Sequence, residues 1–108
     1  MTTIKELNSA IVNEDFATPI KDQDGQVLTV KICLKRAALI NDESDKMGHG
    51  EKFDNWMLAK QIHEAGDAIV MSEKDAEKLK TYIGKAFGSL VVGQLLSRFS
   101  NDSEVKAE

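Results

Sequence analysis

The sequence predicts an α-rich α+β fold, about four helices with a minimal two- or three-stranded sheet. Apolar residues recur at helical spacing over most of the chain. The candidate strand segments are short and confined to 18–20, 27–28 and 68–71. Turn residues fall between the periodic stretches, as at Asp22-Gln23-Asp24-Gly25.

The first segment, 2–12, places Ile4, Leu7, Ala10 and Ile11 at helical spacing, with Thr2 or Thr3 as cap and Glu6 as a capping-box partner, and is expected to be a short helix. Thr18 precedes Pro19 and is biased towards extended geometry. With 22–25 as a turn and Val27-Leu28 returning, 18–28 is expected to form a small hairpin. Thr29 then caps a helix to about 40, whose stripe is Val30, Cys33, Leu34, Ala37 and Ile40. Ile32 and Leu39 fall near its opposite side. A strand over 27–34 is the rival reading, outweighed by the helix-favouring residues 35–38.

Residues 41–50, NDESDKMGHG, read as a mobile loop. A helix is expected over 51–64, ended by Gly66 in a left-handed C′ role. Its apolar residues, among them Phe53, Trp56, Met57, Leu58 and Ile62, cover more than one stripe. The strand 68–71 comes next. Ser72 caps a helix whose face is Ala76, Leu79, Tyr82, Ile83, Ala86 and Phe87, with Glu73 and Asp75 in the first turn. Gly88 breaks it and Ser89 is read as the cap of a last helix reaching Phe99. Its apolar side is Val91, Val92, Leu95, Leu96 and Phe99; Gln94, Ser97 and Arg98 lie on the polar side. Gly84 and Gly93 read as close-packing positions.

The 108 residues fit one domain. We expect a globular body over 1–99 and a flexible polar tail over 100–108. Six aromatics leave the packing to aliphatic residues. With 18 acids against 14 bases, interleaved, the chain lacks the concentrated basic surface that a phosphate backbone requires. One cysteine permits no internal disulfide framework. No apolar run approaches the roughly 20 residues of a membrane span. The N-terminus lacks the basic and apolar regions of a signal peptide. Together these favour a cytoplasmic protein, or one working inside a bacterial cell.

Candidate chemistry is thin. An EF-hand loop aligned on Gly25 puts Ile20 and Lys31 where its first and twelfth ligands belong, so no calcium site is expected. His49 and His63 lack metal-ligand spacing, and Cys33 sits on an apolar stripe without a base. No glycine-rich phosphate loop is present. The last helix, LVVGQLL, is too apolar for a groove-reading helix. No catalytic, cofactor or metal residue is assigned and no enzyme is expected. The remaining candidates are for protein contact: Trp56 and Met57 on the 51–64 helix, Ile32 and Leu39 on the 29–40 helix.

The stretches 22–30, 51–62 and 72–94, above all IGKAFGSLVVGQ at 83–94, resemble small proteins encoded in tailed bacteriophages and prophages. The resemblance implies a setting, a phage-infected or lysogenic bacterial cytoplasm, and carries no activity or site residues with it. The leading expectation is therefore a non-enzymatic protein that binds other proteins, in virion assembly or in modulating a host factor, with a homodimer as one form of contact. The alternatives are a small-ligand binder or enzyme using carboxylates and His63, and a weak nucleic-acid regulator.

Overall fold

The computed structural model describes residues 1–40 and 48–101. Along the chain come β1 (Thr2–Ile4), α1 (Val30–Ala38), α2 (His49–Glu64), β2 (Ile69–Met71), α3 (Glu73–Ala86), α4 (Ser89–Leu96) and β3 (Phe99–Asn101). Among the described residues, four helices and one three-stranded sheet make the α-rich α+β fold that the patterning predicts.

The expected helix over 2–12 is instead the centre of the sheet. β1 pairs antiparallel with β2 (Thr2 opposite Met71, Ile4 opposite Ile69) and with β3 (Ile4 opposite Phe99). The ladder runs one residue further on the β3 side, Lys5 N–H donating to Arg98 O, and on the β2 side Leu7 N–H, past the end of the ladder, donates to Asp67 O. Thr2 and Ile4 are buried while Thr3 is half-buried, the period of two that a one-sided strand needs. Glu6 then adopts φ +57, which no right-handed helix admits. Ile4, Leu7 and Ile11 do all enter the core. They reach it from a strand and the irregular chain after it, so helical spacing alone misled.

Of the three expected strands, only 68–71 belongs to this sheet. Segments 18–20 and 27–28 form the predicted hairpin, outside it. Lys21 bridges Val27, Asp22 N–H donates to Gln26 O, and Gly25 takes φ +83 at the turn. Residues 10–12 join them as a third strand-like segment. Ile11 N–H donates to Leu28 O (2.8 Å), Leu28 N–H to Ile20 O (2.9 Å) and Ile20 N–H to Ile11 O (2.9 Å). These three bonds close a ring that satisfies the backbone around Ile11, which is fully buried.

Local signals place the helix starts. Thr29 accepts from Ile32 N–H (3.2 Å) and Ser72 from Asp75 N–H (3.1 Å), as expected of caps. α1 stops at Ala38, two residues short of the expected end. α2 begins at His49, capped by the Gly48 backbone, so His49 and Gly50 are helical and not loop; the rest of the expected mobile loop, 41–47, lies outside the described residues. Gly66 does not take the left-handed role. Ala65 ends α2 in extended geometry, and the Lys31 ammonium donates to the Ala65 carbonyl and, at 3.5 Å, to that of His63. A cation there also suits the negative end of the helix dipole.

Gly88, not Ser89, is the N-cap of α4, which ends at Leu96. The chain then turns through Ser97 and Arg98 into β3, so Phe99 is in a strand, and residues 100–101, expected in the tail, complete it.

The core gathers Ile4, Leu7, Leu34, Ile62, Leu79 and Leu95, all fully buried. α1 is its hub and packs against α2, α3 and α4. Gly84 and Gly93 are exposed, with no atom within 4 Å of an added Cβ, so neither is a close-packing position. Gly84→Ala and Gly93→Ala are each expected to raise stability by about 0.5–1 kcal/mol, the helix-interior difference between the two residues. Urea denaturation checks this; a loss at either position would mean that the glycine is packed after all.

Candidate functional site

The acidic turn is structural. Asp22 Oδ1 accepts from Asp24 N–H (2.9 Å) and Gln26 N–H (3.0 Å), and Oδ2 lies 3.4 Å from Arg36 Nη2. Its pKa is lowered, first by the Gln26 amide. The carboxylate is spent on closing the hairpin. Among the described residues, no group of three or more His, Cys, Asp or Glu is placed to hold a metal.

Cys33 is fully buried, and desolvation pushes its thiol up to about 11, the reverse of an activated nucleophile. Nδ1 of His63 lies 2.9 Å from Lys35 Nζ. That neighbour is a cation rather than the carboxylate that an acid–base pair with His63 would use. In the helix pair α3–α4, Leu95 is fully buried and Val91 and Val92 are half-buried against the core, so that side of α4 is occupied.

A second loop is also held by a carboxylate. Asp15 accepts from the amides of Ala17 and Thr18 (both 2.9 Å) and from the Thr18 hydroxyl (2.5 Å). These bonds, the hydroxyl's first, lower its pKa from 3.8 to about 2. A depressed carboxylate contributes stability that is fully present above the unfolded pKa and lost as pH falls through the folded one. The 13–18 loop is therefore expected to hold down to about pH 4 and loosen between about 4 and 2. Amide chemical shifts of Ala17 and Thr18 over that range check it; a midpoint near 4 would contradict the geometry. The loop carries Phe16 at its tip, 76% exposed and at φ +58.

The most developed surface is on α2. Leu58, Ala59 and Ile62 fill its core side, with Asn55 buried beside them and donating to the Tyr82 hydroxyl (3.2 Å), which in turn donates to Glu51. Away from that side, Phe53 and Trp56 stack with ring centroids 6.0 Å apart and 30° between planes. They remain 59% and 50% exposed. Lys60 Nζ lies 5.6 Å from the centre of the Trp56 ring, a cation–π contact that extends the strip by one turn. His63 comes next, and through Lys35 the strip crosses to α1. There Ile32, Lys35 and Leu39 fall at i, i+3 and i+7 on the outer side, with Leu39 51% exposed and Ile32 half-buried.

Of the four sequence candidates, then, Trp56, Ile32 and Leu39 belong to this α1–α2 face. Met57 does not. One residue on from Trp56 is about 100° around the helix, which turns Met57 into a shallow groove with Asp54, Gln61, Lys74 and Lys78 between α2 and α3. Sequence reasoning missed Phe53, Lys60, Lys35 and His63 as members. The 4-3-4-3 spacing of His49, Phe53, Trp56, Lys60 and His63 carries that signal, because such residues share one side of a helix.

No family model matches the chain, and no curated protein or solved structure matches it. No helix among the described residues is long and apolar enough to cross a membrane.

Proposed function

We propose that this protein acts by binding another protein through the α1–α2 face, without catalysis, and that Trp56 anchors the contact. The setting proposed is the cytoplasm of a phage-infected or lysogenic bacterium, with a role in virion assembly or in modulating a host factor. The observation that supports the binding reading is the stacked Phe53–Trp56 pair held in water on a helix whose opposite side already fills the core. Two large aromatics stacked on each other outside the core form the kind of patch that associations bury. Tryptophan is over-represented among residues that carry binding energy. The setting rests on the resemblance of 22–30, 51–62 and 72–94 to phage and prophage proteins.

Affinity capture from infected or lysogenic cells tests this, with Trp56→Ala as control. The variant is expected to fold, since half of the side chain is already in water, and to capture about tenfold less partner, the loss of a typical aromatic anchor. Capture that Trp56→Ala leaves unchanged would sink the proposal. If the captured partner is the chain itself, sedimentation should show a dimer that Trp56→Ala dissociates.

A further inference from the structure

We infer that the partner segment docking on the α1–α2 face is an acidic amphipathic one. This rests on the proposal above that the face is a protein-binding surface, and deepens it by naming the partner's chemistry.

The warrant is charge. On α1 Lys35 lies between Ile32 and Leu39 along the outer side, on α2 Lys60 stands over the Trp56 ring beside Phe53, Lys35 meets the His63 imidazole, and Lys31 lies at the edge where the start of α1 meets the end of α2. α1 contains no carboxylate over Val30–Ala38. The acids of α2 are mostly turned elsewhere: Glu51 accepts from the Tyr82 hydroxyl and Asp54 lines the groove towards α3. Glu64, in the last turn, borders the face.

This is a local excess. The residues outside 41–47 and 102–108 contain twelve acids and twelve bases, so the described body is neutral and the positive strip is a matter of placement. Several of the cations are also positioned, Lys60 by the indole, Lys35 by the imidazole and Lys31 by the Ala65 carbonyl. Such a surface complements carboxylates flanking apolar anchors, and like charges on a wrong partner would be repelled. The aliphatic Ile32 and Leu39 have no counterpart in a nucleic-acid strand.

Trp56 is the sole tryptophan, so its emission reports the face directly. The full chain would be titrated with a synthetic helical peptide bearing leucines at i, i+3, i+4 and i+7 and glutamates between. Parallel titrations would use the same peptide with glutamine for glutamate, a thymidine oligomer, and phosphatidylglycerol vesicles. The expected result is a blue shift with the glutamate peptide, weakened about tenfold or more by salt near 0.5 M, and binding at least about tenfold weaker for the glutamine peptide. The double variant K35E/K60E should lose the glutamate peptide and gain a lysine peptide of the same pattern. If it fails to fold, K60Q alone should still weaken the glutamate peptide. Equal binding of the glutamine peptide, tighter binding of the oligomer or vesicles, or no shift with any probe up to about 1 mM would overturn the inference. Cellular capture separates the two ideas: a Trp56-dependent partner whose retention ignores both salt and K35E/K60E leaves the binding proposal standing and removes the acidic partner.

Discussion

Leu34→Ala is expected to remove about 3–5 kcal/mol of stability, the range for truncating a fully buried leucine that leaves a cavity. Leu34 is fully buried in the middle of α1, the helix that packs against α2, α3 and α4. A cavity in a helix that packs against three others is hard to close, because a helix moving into it must part from its other neighbours. A domain of this length has a total stability of about 5–15 kcal/mol, so the loss would be a large fraction of the whole. Leu34→Met, which keeps the volume, should cost under about 1.5 kcal/mol. Leu39→Ala is the internal control. It changes the same residue type five positions on, where the side chain is half in water, and should stay within about 0.5–1 kcal/mol. Urea unfolding followed by circular dichroism and Trp56 emission measures all three. Equal costs for Leu34→Ala and Leu39→Ala would refute the placement of α1 as hub.

Gln94→Ala is expected to cost about 2–3 kcal/mol, more than a surface glutamine warrants. Gln94 was expected on the polar side of the last helix with Ser97 and Arg98. Its amide is in fact aimed at the N-terminal segment: Oε1 accepts from Val12 N–H and Nε2 donates to Val12 O, both at 2.8 Å, with Leu90 O at 3.1 Å. The side chain thus takes the place of a pairing strand for one residue, bridging 82 positions of sequence. Removing it strands a donor and an acceptor of half-buried Val12 together. Arg98, also expected on the polar side, reaches the same segment through Glu6 (3.0 Å). Gln94→Glu keeps the length but sets a carboxylate oxygen against the carbonyls of Val12 and Leu90, and should cost at least as much. Chemical denaturation and hydrogen exchange at the Val12 amide check both. A slow Val12 amide in Gln94→Ala would mean that the clamp carries little.

Gln94 is the last residue of the stretch 83–94. Its geometry gives that position a structural role, holding α4 to the chain that follows β1. The candidate site was legible in part. Trp56, Ile32 and Leu39 could be named because each lies off the core stripe of its helix. Lys35, Lys60 and His63 could not, because a polar residue on a helix surface has no meaning until a neighbouring helix is known. Met57, named with Trp56 as a possible protein contact, lines the α2–α3 groove instead of sharing the Trp56 strip, because neighbours in sequence lie about 100° apart around a helix.

What the sequence determined by itself was local. The Thr29 and Ser72 caps and the turn at Gly25 follow from interactions within a few residues, which operate wherever the chain sits. What only the tertiary structure decided was β1 and everything attached to it. Residues 2–4 pair with 69–71 and 99–101, and at that separation no short-range pattern distinguishes a central strand from the first turn of a helix. The backbone of 2–4 had to find partners, and two strands from distant parts of the chain supplied them. The same holds for the α1–α2 face. Periodicity marked apolar residues left over, and only the packing of α1 against α2, with Lys35 beside His63, brought the two helix sides together.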